Sequence, residues 1–66
     1  MKNQVKKYRL LSDHTQQDLA NAIGVSRQTI HAIESGKYVP STVLALKMAT
    51  LFKCEVSQLF QLEGNE

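Results

Sequence analysis

The stretch TQQDLANAIGVSRQTIHAIESG, Thr15–Gly36, decides the fold. It reads as two short helices joined by a tight turn. Thr15 is a good N-cap, because a hydroxyl there accepts a bond from an orphan backbone N–H, and Asp18 stands three residues on, where a capping box returns it. Leu19, Ala20 and Ile23 then share one helical face, with Gln17, Asp18 and Asn21 turned outward. Gly24 supplies the left-handed residue that closes a helix C-terminus. Ser26 is the next N-cap, Ile30 and Ile33 follow at helical spacing, and Gly36 ends the second helix. Arg27, Gln28, His31, Ala32 and Ser35 fall on the side away from the isoleucines. The pattern is a helix-turn-helix whose second helix carries a polar outer face.

Working back toward the N-terminus, a first helix is expected from Val5 to Leu11 or Ser12. Val5, Tyr8, Arg9 and Ser12 share its inner face, and Leu10 falls on the exposed side. Asp13 and His14 connect it to the second helix. His14 precedes the N-cap and Leu19 occupies the fourth helical position, so the two are placed as a hydrophobic staple, although histidine is a poor one. A phosphate contact or a pH-sensitive joint is the other reading of His14. Arg9 on an inner face needs a partner, since an unpaired buried charge is costly. Glu34 lies beside Ile30 and Ile33 at the inner edge of the third helix. An Arg9–Glu34 ion pair tying the first helix to the third is therefore predicted, acting to fix orientation more than to add net stability.

Working forward, Pro40 interrupts the chain after Lys37, Tyr38 and Val39. Ser41 or Thr42 then caps a fourth helix that runs to about Phe52, with Ala45, Met48, Ala49 and Phe52 as its core stripe. Val43, Leu44, Leu46 and Leu51 spread around the rest of its circumference. A helix apolar nearly all round is covered on more than one side, here either by the C-terminal segment or by another subunit. Val56, Leu59 and Phe60 suggest a short fifth helix, and the tail Glu63–Glu66 looks frayed. The fold expected is all-α, one domain of five short helices over residues 1–66, with an extended piece at either end. Leu46, Leu51, Leu59, Phe60 and Leu62 are expected at a dimer interface within about 43–62.

Composition narrows the class. The chain has 66 residues and one cysteine, Cys54. A core this small supplies roughly 3–5 kcal/mol and has no disulfide to help it, which makes dimerisation the natural support. The lone thiol reads as a small buried hydrophobe in a reducing compartment. The net charge is only +2. Lys2, Lys6, Lys7 and Arg9 nevertheless crowd the N-terminal segment, whereas Glu63 and Glu66 lie in the tail. No apolar run approaches the ~20 residues of a membrane span, and no secretory signal is present, so a cytoplasmic location is expected. No nucleophile–base constellation, metal-ligand set or cofactor motif stands out, which argues against an enzyme.

A short helix crossing phosphates while the next lies in the major groove is how helix-turn-helix proteins dock on double-stranded DNA. Arg27 offers a fork to guanine O6 and N7, and Gln28 an amide to adenine N6 and N7. Thr29 and Ala32 are small enough for close approach or a thymine methyl, although Thr29 is equally suited to bonding back to its own helix. His31 is a further base-contact candidate. Gln16, with a free amide at the first position of its helix, Ser26, Ser35, Lys37 and Tyr38 are candidates for phosphate. Tyr38 also reads as a packing residue.

The ordered set Gln16, Leu19, Ala20, Gly24, Val25, Ser26, Ile30, Ile33, Glu34 and Pro40, within TQQDLANAIGVSRQTIHAIESGKYVPS, resembles the Cro/cI-type (Xre) helix-turn-helix family. The segments LALKMATLF and VSQLF are similar to that family's fourth and fifth helices, so the resemblance covers nearly the whole chain. It implies a lambda-repressor-like five-helix DNA-binding domain, phosphate contact by Gln16, base contact by Arg27 and Gln28, the Arg9–Glu34 pair, and backbone contacts from Ser35 to Tyr38. The short, free-standing members of the family, such as the cytolysin-operon repressor, dimerise through the C-terminal region and add a small two-stranded β-ribbon. By that resemblance Met1–Gln4 pairs with Phe60–Leu62. Two departures stand out. His14 occupies a position usually held by Leu, Ile or Met, and Glu55 one usually held by Ser, Thr or Pro, so the fifth helix is expected to start less firmly. The reading is a homodimeric, sequence-specific repressor of transcription on an inverted-repeat operator. The alternative is an antitoxin or other interaction module whose partner is a protein.

Overall fold

Hydroxyl side chains start the three longest helices. In the computed structural model, which describes residues 1–66, Thr15 Oγ1 accepts from the Asp18 N–H at 3.0 Å, and the Asp18 carboxylate accepts from the Thr15 N–H at 2.9 Å. Ser26 Oγ accepts from the Thr29 N–H, and Ser41 Oγ from the Leu44 N–H. These caps open α2 (Gln16–Ile23), α3 (Arg27–Glu34) and α4 (Thr42–Phe52). Before them lies α1 (Val5–Leu11), and after them the single turn α5 (Val56–Leu59). Gly24, at φ +78°, closes α2 with its N–H on the Ala20 carbonyl. The sharp α2–α3 turn therefore rests on a residue with no Cβ to strain.

The chain ends form the expected ribbon. Strands β1 (Lys2–Asn3) and β2 (Phe60–Gln61) pair antiparallel, Lys2 opposite Gln61 and Asn3 opposite Phe60. Asn3 does more than pair. Its amide nitrogen donates to the Ile33 carbonyl at 2.9 Å, near the end of α3, and its amide oxygen accepts from the Val5 N–H at the start of α1. The ribbon is thus tied to the end of α3.

One apolar cluster joins all five helices: Val5 from α1; Leu19, Ala20 and Ile23 from α2; Ile30 and Ile33 from α3; Met48 and Ala49 from α4; Leu59 from α5. The stripe expected on α4 is narrower than its sequence suggests, with Ala45 and Phe52 only half-buried. Phe52 lies at the margin of the core, its ring 6.0 Å from that of Tyr8. Cys54 is half-buried against the cluster, where burial first and the neighbouring Glu55 second push its thiol pKa up. Both effects favour the neutral thiol over the thiolate, the reactive form.

Two expectations need correction. Phe60 does not extend α5; it is the first residue of β2, because the chain must turn extended there to meet Asn3. Leu59, expected at a subunit interface, is wholly buried in the core and has no surface to offer a partner. Glu55 proves a workable start for α5, since the Gln58 side-chain oxygen accepts its N–H at 2.8 Å and supplies half of a capping box from the third position. No helix is long and apolar enough to cross a membrane.

The α2 cap has a pH signature. The bond from the Thr15 backbone N–H, first, and the Thr15 side chain, second, hold the Asp18 carboxyl below its ordinary value of 3.8. A depressed carboxylate contributes stability that is present above the unfolded pKa and is lost as pH falls through the folded one. The Thr15 amide resonance should therefore titrate below pH 3.8 together with Asp18. Thr15→Ala should lower stability by about 1 kcal/mol, read as a shift in the urea midpoint at neutral pH.

Candidate nucleic-acid interface

The site is built around a buried charge. Arg9 reaches inward from α1 and is 7% exposed. Its Nε donates to Glu34 Oε2 at 2.7 Å, one terminal nitrogen donates to Glu34 Oε1 at 3.3 Å, and the other donates to the His14 carbonyl at 2.9 Å. The Glu34 side chain is only 6% exposed. Its Oε1 also accepts from the Gln16 amide at 3.1 Å. One guanidinium and one carboxylate thus join α1, the α1–α2 connection, the first residue of α2 and the last residue of α3. No buried side-chain nitrogen or oxygen in the chain lacks a partner. The predicted ion pair is present, and Gln16 and the His14 backbone belong to the same network.

That network sets what the outer surface shows. The acid of α3 is withdrawn, and the exposed residues along the helix are Arg27, Gln28, His31 and Ser35. Gly36, at φ +79°, turns the chain back so that the Lys37 and Tyr38 N–H groups both bond the Ala32 carbonyl, at 2.9 and 3.2 Å. Lys37 and Tyr38 are exposed beside the end of the helix. At the other end Arg27 shares a groove with Arg9, Asp13, His14 and Gln16. The N-terminus of α2 opens there, so its unpaired N–H groups and positive dipole end face the same space as the Arg27 guanidinium. Asp13 is the one acid lining this groove.

Several expected contacts acquire a second role. The Gln16 amide is not free: one of its two N–H bonds goes to Glu34, leaving the other for an outside acceptor. The Thr29 hydroxyl lies 3.0 Å from Oγ of Ser26, the N-cap of the same helix, and either can be the donor. The Ser35 hydroxyl donates to the Ala32 carbonyl at 3.2 Å, so it meets an outside partner chiefly as an acceptor. Ala32 and Thr29 are half-buried toward the α4 side of the helix, and Arg27, Gln28 and His31 form the fully exposed strip. Asn3 is the residue that sequence reading missed. Its signal was weak, because an asparagine in a short extended segment ordinarily reads as a turn residue.

A helix-turn-helix family model matches residues 5–59. The chain belongs to the Cro/cI-type helix-turn-helix family. It is 53% identical over 66 residues to an uncharacterized HTH-type transcriptional regulator of Methanocaldococcus jannaschii, covering all of both chains. It is 46% identical over 63 residues to the HTH-type transcriptional regulator YgzD of Bacillus subtilis, covering 96% of each. Among solved structures, the restriction-modification controller protein C.AhdI of Aeromonas hydrophila is similar, with a TM-score of 0.77 and 30% identity over 86% of each chain. The SOS-response repressor LexA of Eubacterium rectale has a TM-score of 0.80 at 27% identity, over 94% of this chain and 66% of that one. The five helices and small two-stranded sheet are the architecture of this group. Its members act as DNA-binding regulators and are not enzymes.

The buried pair yields a test by replacement. Glu34→Ala strands the Arg9 charge and should lower stability by about 3–5 kcal/mol, comparable to the whole stability of so small a domain. The double change Arg9→Met/Glu34→Leu removes both charges and should recover most of that loss in urea denaturation. Equal stability of the single and double variants would contradict this account of the network.

Proposed function

We propose that this regulator is a homodimeric, sequence-specific repressor that acts in the cytoplasm on an inverted-repeat operator. The observation that carries the reading is the outer strip of α3. Arg27, Gln28 and His31 are exposed there, while Glu34, the one acid of that helix, is folded away against Arg9. In this reading α3 enters the major groove. Arg27 takes guanine O6 and N7, Gln28 takes adenine N6 and N7, and His31, Thr29 and Ala32 complete the base-facing set. Gln16 spends its remaining amide hydrogen on a phosphate at the α2 N-terminus, while Ser26, Ser35, Lys37 and Tyr38 hold the backbone at either end of α3. The hydrogen bond to Glu34 makes Gln16 a pre-set donor, so phosphate contact and α3 orientation are coupled through one carboxylate.

Dimerisation is supported by what α4 leaves uncovered. Val43 is 62% exposed and Leu46 53%, and with Leu51 they border an apolar groove that reaches Ala22 and Ile23. Leu46 also borders the hollow beside Phe60, and Leu62 is 73% exposed just beyond β2. Contiguous apolar surface of this kind marks an interaction site. A dimer reading an inverted repeat must present its two α3 helices to successive major grooves, about 34 Å apart. Repression follows by occlusion of polymerase, a role that the LexA relative's description as a repressor also favours.

Sedimentation equilibrium of the chain, alone and with a duplex from its own promoter region at two salt concentrations, tests the reading. A dimer that binds the duplex, with affinity falling as salt rises, is the expected result. A protein partner in stoichiometric amount, with no DNA footprint, would replace it with the antitoxin reading. Leu46→Lys should give a monomer of unchanged helix content. Arg27→Ala should relax specificity at one position per half-site and lower affinity by about 1–3 kcal/mol per lost contact. Lys37→Ala should weaken binding on all sequences and flatten the salt dependence by about one phosphate.

A further inference from the structure

Two adjacent residues at the end of α3 are held from the N-terminal segment by different chemistry. Glu34 is held through its side chain, by Arg9 of α1. Ile33 is held by its backbone. Its carbonyl accepts the Asn3 side-chain amide at 2.9 Å and the Gly36 N–H at 3.0 Å. It is one of the last carbonyls of the helix, which have no partner within it. The Gly36 bond belongs to the turn that sends the chain back over α3, where the Lys37 and Tyr38 N–H groups bond the Ala32 carbonyl. The carbonyl that Asn3 grips is thus shared with the loop that presents Lys37.

Asn3 is itself fixed. Its backbone pairs with Phe60, and the Gln4 N–H that follows donates to the Leu59 carbonyl at 2.8 Å. Its side-chain oxygen accepts the Val5 N–H at 3.2 Å. A hold on one carboxylate, reached through rotatable side-chain bonds, leaves a helix free to roll about that point. A second hold, on the backbone of the neighbouring residue and from a different element, removes that freedom. Recognition by directional contacts needs it removed. We propose that Asn3 is a positioning residue for DNA reading: by holding the Ile33 carbonyl it fixes the last turn of α3 and the loop that carries Lys37. Asn3 need not touch DNA to do so. The proposal rests on the operator reading above and deepens it, adding a residue outside the helix-turn-helix that governs its contacts.

Removing the donor alone tests it. Asn3→Ser keeps a side-chain oxygen for the Val5 N–H, since serine makes the same bond two residues on. It places no donor where the Asn3 amide nitrogen stands. Asn3→Thr does likewise and suits a strand; it takes the place of the serine variant if that one does not fold. A duplex is first selected from random sequence with the full chain. The variant, shown to be folded by its urea midpoint, should bind that duplex about three- to tenfold less tightly, the worth of one hydrogen bond. A double-mutant cycle separates positioning from stability alone. The factor lost on Lys37→Ala should be smaller in the Asn3→Ser background than in the wild type, because a displaced loop has less contact to lose. Additive losses would overturn the inference, as would a folded variant that binds like the wild type; both leave the operator reading standing. Selection of no sequence would overturn both.

Discussion

The Arg9–Glu34 pair is the constraint on which the rest of this small domain depends. Two charges buried to better than nine-tenths face a large desolvation penalty, which only close and complete hydrogen bonding offsets. The bidentate contact, the His14 carbonyl and the Gln16 amide supply it. Each of these partners is at or next to a helix end. The carboxylate can be satisfied only if α1, the start of α2 and the end of α3 hold one mutual arrangement. A purely apolar contact of the same area tolerates sliding. A forked ion pair with directional bonds does not. The contribution of the pair is therefore to geometry: it selects one angle of α3 among those that the isoleucines alone would permit.

The same pair organises the electrostatics of the outer surface. A carboxylate left exposed on α3 would oppose a polyanion. Folded inward, it cancels the Arg9 charge instead, so Arg27 and Lys37 stand at the two ends of α3 with no exposed acid between them. A net charge of only +2 is then compatible with binding DNA. What matters is the placement of charge relative to one helix, and the acids not buried lie mostly at the α2 cap and in the C-terminal tail. The tail acids Glu63 and Glu66 meet the Met1 amino group at 3.3 and 3.2 Å, near the ribbon.

Much of this was legible in the sequence because it is written in local chemistry. Thr15, Gly24, Ser26 and Ser41 punctuate the chain by capping and left-handed rules that need no tertiary information, and the helix bounds follow them. The Arg9–Glu34 pair was also readable, since two charges on apolar faces implicate each other. The failures are tertiary. Whether Phe60 continues a helix or enters a strand depends on Asn3, far away in sequence. Leu59 and Leu46 are the same residue type on neighbouring apolar segments, yet one is wholly enclosed and the other is 53% exposed. Only the packing of α5 against α4 separates them. Double duty by Gln16 was hidden for a similar reason: a glutamine at the first position of a helix looks free until the acid that claims it is placed in space.

A domain with nine buried apolar residues has little stability to spare. In such a domain the elements that stabilise and the elements that recognise cannot be kept apart. Ile33 belongs to the core, and its carbonyl holds the ribbon through Asn3. Ala32 lies on the outer half of the same helix, and its carbonyl anchors the loop that carries Lys37 and Tyr38. Ser26 caps α3 and touches the hydroxyl of Thr29 on its flank. A change at any of these positions moves both fold and surface. Sequence-specific readout tolerates little positional error, because a bidentate contact fails when its fork is tilted. Using the same bonds for both tasks makes the folded state and the reading state one geometry, so that an eight-residue helix can be presented rigidly by a chain of 66 residues.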